Sequence, residues 1–336
     1  MVEPQVGITA LKAWLAIDAE SHQDNVFAED HERPPTLPNG DDISLCQFVR
    51  LTEEIAGRLK DPLMGWSVGL GFDLSSLNEM GDAILSSRCL GGALQRMVDY
   101  FSIIQDAADV RLAVDLDDAV LSYRILDPGI WPRRQDALFT LGIFAKIIRS
   151  AIGSTWSTVE IVLECDGSGI RKEAPKTFGA ACQFNGDTNM IRFPAHLLDN
   201  SLGALAQPRL PNHARLSRQV AQRRRRMPTA LRVRHQIFQD LNHGAFSQDT
   251  VARALGMSSR TLRRRLAEEG VCFQTLLDEC RMRLAAFEFQ TRPSVSIAQT
   301  ALRLGYSEHS TFTRAFLRWN GMPPQSYLRC TRSATA

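Results

Sequence analysis

The arginines of the second half are the residues whose type and spacing point most directly to a chemistry. Arg260, Arg263 and Arg264 follow one another at helical spacing. A guanidinium group presents five N–H donors in a planar fork, which matches phosphate oxygens and the edge of guanine. About fifty residues further on, His309, Thr313 and Arg314 also follow one another at helical spacing. These side chains predict contacts to a polyanion, and nucleic acid is the polyanion they favour.

The charge distribution supports this interpretation. The chain has a net charge of +2, but residues 1–205 hold 17 basic and 29 acidic residues. Residues 206–336 hold 22 basic residues, all of them arginine, and only 8 acidic ones. A basic block of this size is typical of polyanion-binding segments, whereas a merely solvated surface usually carries lysine.

One sequence pattern occurs twice in the basic half. Gly256 and Gly305 are 49 residues apart, and Ala252 and Ala301 keep the same offset. Beyond the glycines the best offset is 50, which indicates one inserted residue in the second copy. The pattern predicts two helix-turn-helix units, at about 247–269 and 296–319.

Each part of this pattern has a physical role in a helix-turn-helix. The alanine lets the second helix cross closely, and the glycine ends the first helix in a left-handed conformation. Ser258 and Ser307 are predicted to cap the second helix of each unit. The helix predicted between the units, Phe273 to Gln290, is roughly 27 Å long at ~1.5 Å per residue. That length approaches the ~34 Å between successive major-groove faces, so one chain is expected to place two helices in adjacent segments.

The first half mixes the two hydrophobic periods. Helices are expected at Ser44–Lys60, Gly91–Gln105 and Arg133–Ile152, and alternation around Asp117-Asp118 predicts a hairpin with Val110–Leu116 as its first strand. We therefore predict an α+β domain over residues 1–205 and an all-α domain over 229–331. Between them, prolines and the arginine run 223–226 predict a basic linker, residues 206–228. Those four arginines would either contact a DNA backbone or form a solvated tether.

Several classes of protein and site find no support in the sequence. No nucleotide loop, catalytic signature or metal-ligand spacing is present, so no catalytic residue, cofactor or metal is predicted. The apolar stretch from Leu138 to Trp156 contains Lys146 and Arg149, which favours a core helix over a membrane span. The N-terminus lacks a secretory pattern and the cysteines are scattered, which favours reduced thiols and a cytoplasmic location.

The second half resembles the AraC/XylS family of bacterial transcription regulators, over about Arg232 to Arg329. The resemblance rests on Ala301-Leu-Arg-Leu-Gly-Tyr-Ser, Phe312-Thr-Arg-Ala-Phe316 and Trp319-Asn-Gly-Met-Pro-Pro-Gln-Ser-Tyr327. It implies a seven-helix DNA-binding domain whose recognition helices are Ser258–Glu269 and Ser307–Trp319. The sequence departs from the family at Glu308-His309, where an acidic residue followed by proline is common. The predicted DNA-binding residues are Ser258, Arg260, Thr261, Arg263, Arg264, Ser307, His309, Ser310, Thr313 and Arg314.

The first half resembles the ligand-sensing domain of ornithine-utilisation-type members of that family. The similar stretches are Cys182-Gln-Phe-Asn and Ile191-Arg-Phe-Pro-Ala195, with the hairpin and the helix after it. The resemblance implies a transcription regulator, more often an activator, with double-stranded DNA, a small-molecule effector, RNA polymerase and a second copy of the chain as partners.

Two other functions fit the sequence less well. A DNA-repair enzyme with the same module would need a metal-bound reactive cysteine, and Cys46, Cys89, Cys165 and Cys182 are too dispersed to suggest one. A non-specific DNA-packaging protein would have little use for two recognition helices and an acidic domain.

Overall fold

The computed structural model describes residues 3–23, 42–207, 209–240, 247–291 and 295–335. The chain divides into two compact units. Unit 1 comprises Glu3–Arg124 and Pro132–Arg224, and unit 2 comprises Ile125–Trp131 and Arg225–Ala336. The α+β prediction for the first half and the helical prediction for the second are confirmed.

Unit 1 contains eight α-helices and seven strands in the part of the chain that is described. The helices are α1 (Ile8–Gln23), α2 (Leu45–Arg58), α3 (Met64–Gly71), α4 (Glu79–Leu85), α5 (Leu90–Tyr100), α6 (Arg134–Ile152), α7 (Ala174–Phe178) and α8 (His213–Arg226), the last of which runs two residues past the boundary. The strands are β1 (Gln5–Gly7), β2 (Asp42–Ser44), β3 (Ala108–Val114), β4 (Asp118–Ile125), β5 (Glu160–Val162), β6 (Ala181–Gln183) and β7 (Asn189–Pro194).

Five of these strands form one mixed sheet in the order β3-β4-β7-β5-β6. β4 and β7 are antiparallel, with Leu121 opposite Ile191, and β5 pairs antiparallel with β7 but parallel with β6. Alternate residues of β4 are buried, among them Leu121 and Tyr123, as its period of two predicts. β1 and β2 form a separate antiparallel pair.

The hairpin strand β3 differs in burial from the prediction. Its apolar residues, which alternate with Arg111, Ala113 and Asp115, were expected to share one buried face, but Val114 is 58% exposed and Leu116, in the turn, is 94% exposed. β3 is one of the two edge strands of the sheet, and its apolar side chains are at best half-buried. A period of two sets which face a residue lies on, not whether anything covers that face.

Helix α6 is the central core helix of unit 1. Residues 134–158 are long and apolar enough to cross a membrane by length and composition alone, and 67% of the most apolar window is buried within the fold. Gly69 of α3 and Gly142 of α6 let the two backbones meet, because a Cβ on Gly69 would lie 2.2 Å from the Phe139 carbonyl oxygen. The Gly65–Gly71 stretch is therefore a helix-packing surface.

A buried polar network lies between the sheet and α6. The Tyr123 hydroxyl donates to Asp136 Oδ2 at 2.6 Å and accepts from Gln105 Nε2 at 2.7 Å. Burial raises the pKa of Asp136 to about 7, against the opposing effects of the Tyr123 hydrogen bond and of Arg133. Nearby, Arg133 donates two hydrogen bonds to the Glu164 carboxylate, at 2.7 and 3.0 Å. Paired in this way, the two buried charges satisfy one another.

Within the predicted basic linker, residues 213–226 fold as a helix, α8. Arg223 donates to Asp106 Oδ1 at 3.0 Å and lies 3.3 Å from an Asp42 oxygen, and its side chain is only 20% exposed. Arg215 pairs with Glu79 at 2.9 Å. These arginines meet acidic residues that are distant in sequence, so like-charge repulsion along the run does not unfold it. The domain boundary falls at Arg224–Arg225.

Apart from the non-helical segment Ile125–Trp131, the regular elements described in unit 2 are all helices. After α8 its helices are α9 (Thr229–Asp240), α10 (Gln248–Ala254), α11 (Ser259–Glu268), α12 (Phe273–Thr291), α13 (Ile297–Arg303), α14 (His309–Asn320) and α15 (Pro324–Thr335). One hydrophobic core joins both predicted helix-turn-helix units, and it includes Leu126 of the segment Ile125–Trp131. That segment also supplies Asp127, which accepts from Arg283 Nη1 at 2.7 Å, and Trp131, whose ring contacts Phe287.

Candidate nucleic-acid interface

The first helix-turn-helix unit consists of α10, a glycine turn and α11. Ser247 and Thr250 form a reciprocal capping box at the start of α10. Gly256 adopts φ +70°, the predicted left-handed conformation, and the Met257 N–H then donates to the Ala252 carbonyl at 2.9 Å. This is the hydrogen bond that closes a helix end of the Schellman type.

Two hydroxyl residues at the start of α11, Ser258 and Thr261, are hydrogen-bonded to each other. Ser258 is the N-cap, as predicted, and its Oγ accepts from the Thr261 N–H at 3.1 Å. The two side-chain oxygens lie 2.9 Å apart. Their structural task is to satisfy backbone donors that would otherwise be unpaired at the helix start.

The two faces of α11 differ sharply in character. Leu262 and Leu266 are fully buried in the core of unit 2. The opposite face carries the exposed arginines Arg260, Arg263 and Arg264. Because the apolar face is fixed in the core, the guanidinium groups are presented together on one accessible side of a rigid helix.

The second unit repeats this arrangement with a longer turn. Gly305 adopts φ +78°, and the Tyr306 N–H donates to the Ala301 carbonyl at 2.9 Å. The N-cap of α14 is Glu308, without a side-chain cap bond, and not Ser307 as predicted. The inserted residue explains the difference, because an offset of 50 from Ser258 reaches Glu308.

The outer face of α14 is less basic than that of α11. Phe312 and Phe316 are buried on its inner side. On the outer side the structure places the predicted residues His309, Ser310, Thr313 and Arg314. The prediction omitted Leu317, which is 44% exposed on the same helix. Nothing in the sequence signals that this leucine, four residues after Thr313, is exposed. Only the positions of Phe312 and Phe316 around the helix identify the buried side.

The second unit is held to α12 by a buried carboxylate that the sequence analysis also missed. Glu288 accepts from Thr300 Oγ1 at 2.8 Å and pairs with Arg303 at 2.6 Å. In addition, the Phe289 ring packs against the Phe316 ring, with 5.5 Å between centroids. Glu288 within an otherwise apolar stretch of α12 was the available signal, since buried acids are normally paired.

Two further contacts set the framework around the interface. The Glu269 carboxylate accepts from the N–H groups of Thr229 and Ala230, at 2.7 and 2.8 Å, and so caps α9. In the second turn, the Arg281 guanidinium lies 4.7 Å from the centre of the Tyr306 ring. Burial raises the pKa of Tyr306 despite Arg281, so this hydroxyl stays neutral.

Chemically, the predicted DNA-binding side chains that are exposed on α11 and α14 are mainly hydrogen-bond donors and cations. Within the described ranges, no three His, Cys, Asp or Glu residues are grouped in a way that would hold a metal ion. The exposed arginines can donate to phosphate oxygens and to guanine O6 and N7.

Comparison with known families covers both halves of the chain. Residues 33–202 match the family model described as "Arabinose-binding domain of AraC transcription regulator, N-term". Residues 251–329 match a model described as "Helix-turn-helix domain", which spans α11 to α14.

Similar full-length proteins are regulators. The ornithine utilization regulator of Pseudomonas aeruginosa is 27% identical over 88% of this chain and 87% of its own length. An HTH-type transcriptional regulator of Mycobacterium tuberculosis is 31% identical over 85% of each chain. The crystal structure of transcriptional regulator CdpR from P. aeruginosa aligns with a TM-score of 0.44 at 24% identity, over 95% of this chain and 96% of that one. With both halves matched to its domains, the chain belongs to the AraC family of DNA-binding transcription regulators, which are not enzymes.

Proposed function

We propose that α11 and α14 read base pairs in two consecutive major-groove segments of a promoter site. The observation that carries this proposal is the arginine face of α11, exposed directly opposite the buried Leu262 and Leu266. α12, which separates the two units, has 19 residues and a length of about 28 Å, close to one turn of B-DNA. Ser258 and Thr261 act in this proposal as the cap that fixes the helix start against the backbone.

Binding of full-length protein to the DNA upstream of its own gene tests the proposal. In band-shift titrations at one stated salt concentration, that duplex should bind at least about a thousandfold more tightly than random DNA. Equal affinity for both duplexes would favour the non-specific DNA-packaging function instead.

We further propose that unit 1 binds a small-molecule effector in the cytoplasm, and that the protein forms a dimer and activates transcription with RNA polymerase. Support comes from the matched family, whose description names arabinose binding, and from a relative named for ornithine utilization. An effector shifts DNA affinity only by its differential affinity for two states of the protein.

Thermal unfolding of the full chain with ornithine, arabinose and unrelated metabolites tests this second part. A true effector should raise the unfolding temperature in a concentration-dependent way and change the DNA affinity of the same preparation. Activation is tested separately, because loss of the protein should lower transcription from the bound promoter. A rise in transcription would identify a repressor.

A further inference from the structure

The two recognition helices present different chemistry to DNA. At an offset of fifty residues, Arg260 and Arg263 of α11 correspond to Ser310 and Thr313 of α14. Only the third arginine, Arg264, has an arginine as its counterpart, Arg314. Since α14 carries fewer charged donors on this face, it must obtain its selectivity from other groups.

Leu317 is placed to be one of those groups. With 3.6 residues per turn, it lies between Thr313 and Arg314 around the helix, one turn further along. It is 44% exposed, whereas Phe312 and Phe316 on the other side are fully buried. Its counterpart on α11 is Ala267, so an extended apolar side chain at this position is particular to α14.

Thr313 adds a methyl group beside Leu317. Its hydroxyl donates to the His309 carbonyl at 3.0 Å, one turn back in the same helix. The hydroxyl proton is therefore engaged with the backbone, which leaves the Cγ2 methyl as the other group of this half-buried side chain. We call Thr313 and Leu317 together the apolar strip of α14.

We propose that the apolar strip recognises the C5-methyl groups of thymine in the major groove under α14. This inference rests on the proposed function and deepens it. Thymine is the base that presents a methyl group on the major-groove edge, and apolar side chains contact it there. With Arg314 alongside, α14 combines a methyl-reading strip with one cation, whereas α11 reads mainly through guanidinium groups.

A protein partner fits this surface less well than DNA. The strip is two side chains wide, far smaller than the apolar centre of a stable protein interface. It is flanked by Arg314, which is exposed, and by Arg318, whose side chain is 69% exposed beside Asp278. Cations bordering a small apolar strip suit a surface where methyl groups and phosphates alternate.

Replacing thymine with deoxyuridine removes the methyl group alone and tests the proposal directly. Full-length protein first selects its site from a random duplex library, and each thymine of that site is then replaced singly. At one or two positions under α14, affinity should fall about fourfold, which corresponds to the free energy of burying one methyl group. Leu317→Ala should remove the difference between thymine and deoxyuridine at those positions.

Matched variants separate contact from folding. Leu302→Ala removes another exposed leucine, from α13, and should leave the thymine preference intact. Thr313→Val keeps the methyl group and should retain discrimination, whereas Thr313→Ser should weaken it.

Equal binding of both bases at every position by the wild-type protein would overturn the inference while leaving the proposed function intact. Discrimination that persists in Leu317→Ala would overturn it as well. Selection of no preferred site would instead refute the proposed function, and this inference with it.

Discussion

At the scale of single residues, arginines close together in sequence occupy different surroundings. Arg223 is enclosed in unit 1 by Asp106 and Asp42, whereas Arg224, Arg225 and Arg226 are exposed. Arg260 and Arg263 are exposed on α11. A single count of positive charge therefore merges structural arginines with those available to DNA.

We expect Arg260→Ala and Arg263→Ala to relax base preference at particular positions of the site. A bidentate contact to guanine is worth about 1–3 kcal/mol of discrimination, and a phosphate contact carries none. Alanine at positions 224–226 should instead weaken binding to all sequences alike and flatten the salt dependence. The measurement is affinity for a panel of single-base variants of the selected site. Uniform losses for the α11 variants would show that their arginines supply charge only.

Asp136 should make the stability of unit 1 depend on pH. Its pKa is raised to about 7 in the folded chain, so the folded state favours the protonated carboxyl. The associated stability is present below its unfolded pKa, near 4, and is lost as the pH rises towards 7. Asp136→Asn should reduce this decline, measured by urea unfolding from about pH 4 to 8 with tryptophan fluorescence. Asn at the exposed Asp99 is the control and should leave it unchanged.

At the scale of elements, the turn glycine Gly256 allows the free-energy cost of a left-handed backbone conformation to be measured separately from steric clashes. A Cβ on Gly256 would meet no atom within 4 Å, so only its φ of +70° opposes a side chain. Gly256→Ala should therefore destabilise unit 2 by about 1 kcal/mol. Gly57 has equal space within α2, and Gly57→Ala should stabilise unit 1 by about 0.5–1 kcal/mol. Equal effects of the two changes in denaturant unfolding would contradict this account.

Two neighbouring glutamates allow a similar comparison. Glu269 caps α9 through two backbone N–H groups, whereas Glu268 lies 3.6 Å from Arg264 in an exposed pair. Glu269→Ala should cost about 1–2 kcal/mol and speed amide exchange at the start of α9. Glu268→Ala should cost less than about 1 kcal/mol and leave that exchange unchanged, because exposed ion pairs contribute little.

Elements with a long, unbroken hydrophobic period were predictable from the sequence. α2, α6 and α12 begin and end within one or two residues of their predicted bounds. α8 was not predictable, because the acidic residues that pair with its arginines are more than a hundred positions away. Local charge favours an open chain there, and tertiary contacts override it.

The candidate site was predictable to the extent that residue type defines it. Arginines at helical spacing identified the exposed face of α11, and the duplicated glycines placed both turns. The sequence could not show which hydrogen bonds and capping roles each side chain takes. The hydroxyl of Thr313 is directed to the backbone and Glu308 replaces Ser307 as the cap, and both depend on the actual course of the chain.

At the scale of the whole molecule, we expect fragment 225–336 to bind DNA but to be less stable than unit 2 in the full chain. It keeps the exposed arginines, so log affinity should fall steeply with log salt between about 50 and 200 mM. It lacks Leu126, a core residue, whose loss should cost about 2–5 kcal/mol. Leu126→Ala in the full chain is the control for stability. A flat salt response of the fragment in band-shift titrations would exclude phosphate contacts as the source of affinity.

The membership of Ile125–Trp131 in unit 2 has a consequence for building chimeric regulators. Joining the first half of this chain to the second half of another family member at one junction near Arg225 would transplant an incomplete module. The incoming α12 would meet Leu126, Asp127 and Trp131 in place of its own matching segment, and the contacts that Asp127 and Trp131 make with Arg283 and Phe287 would depend on the residues it carries at those positions. A complete transfer of the DNA-binding unit therefore also needs the seven-residue segment Ile125–Trp131, about a hundred positions upstream of the junction. The compatibility of the two halves thus depends on two separate pieces of sequence.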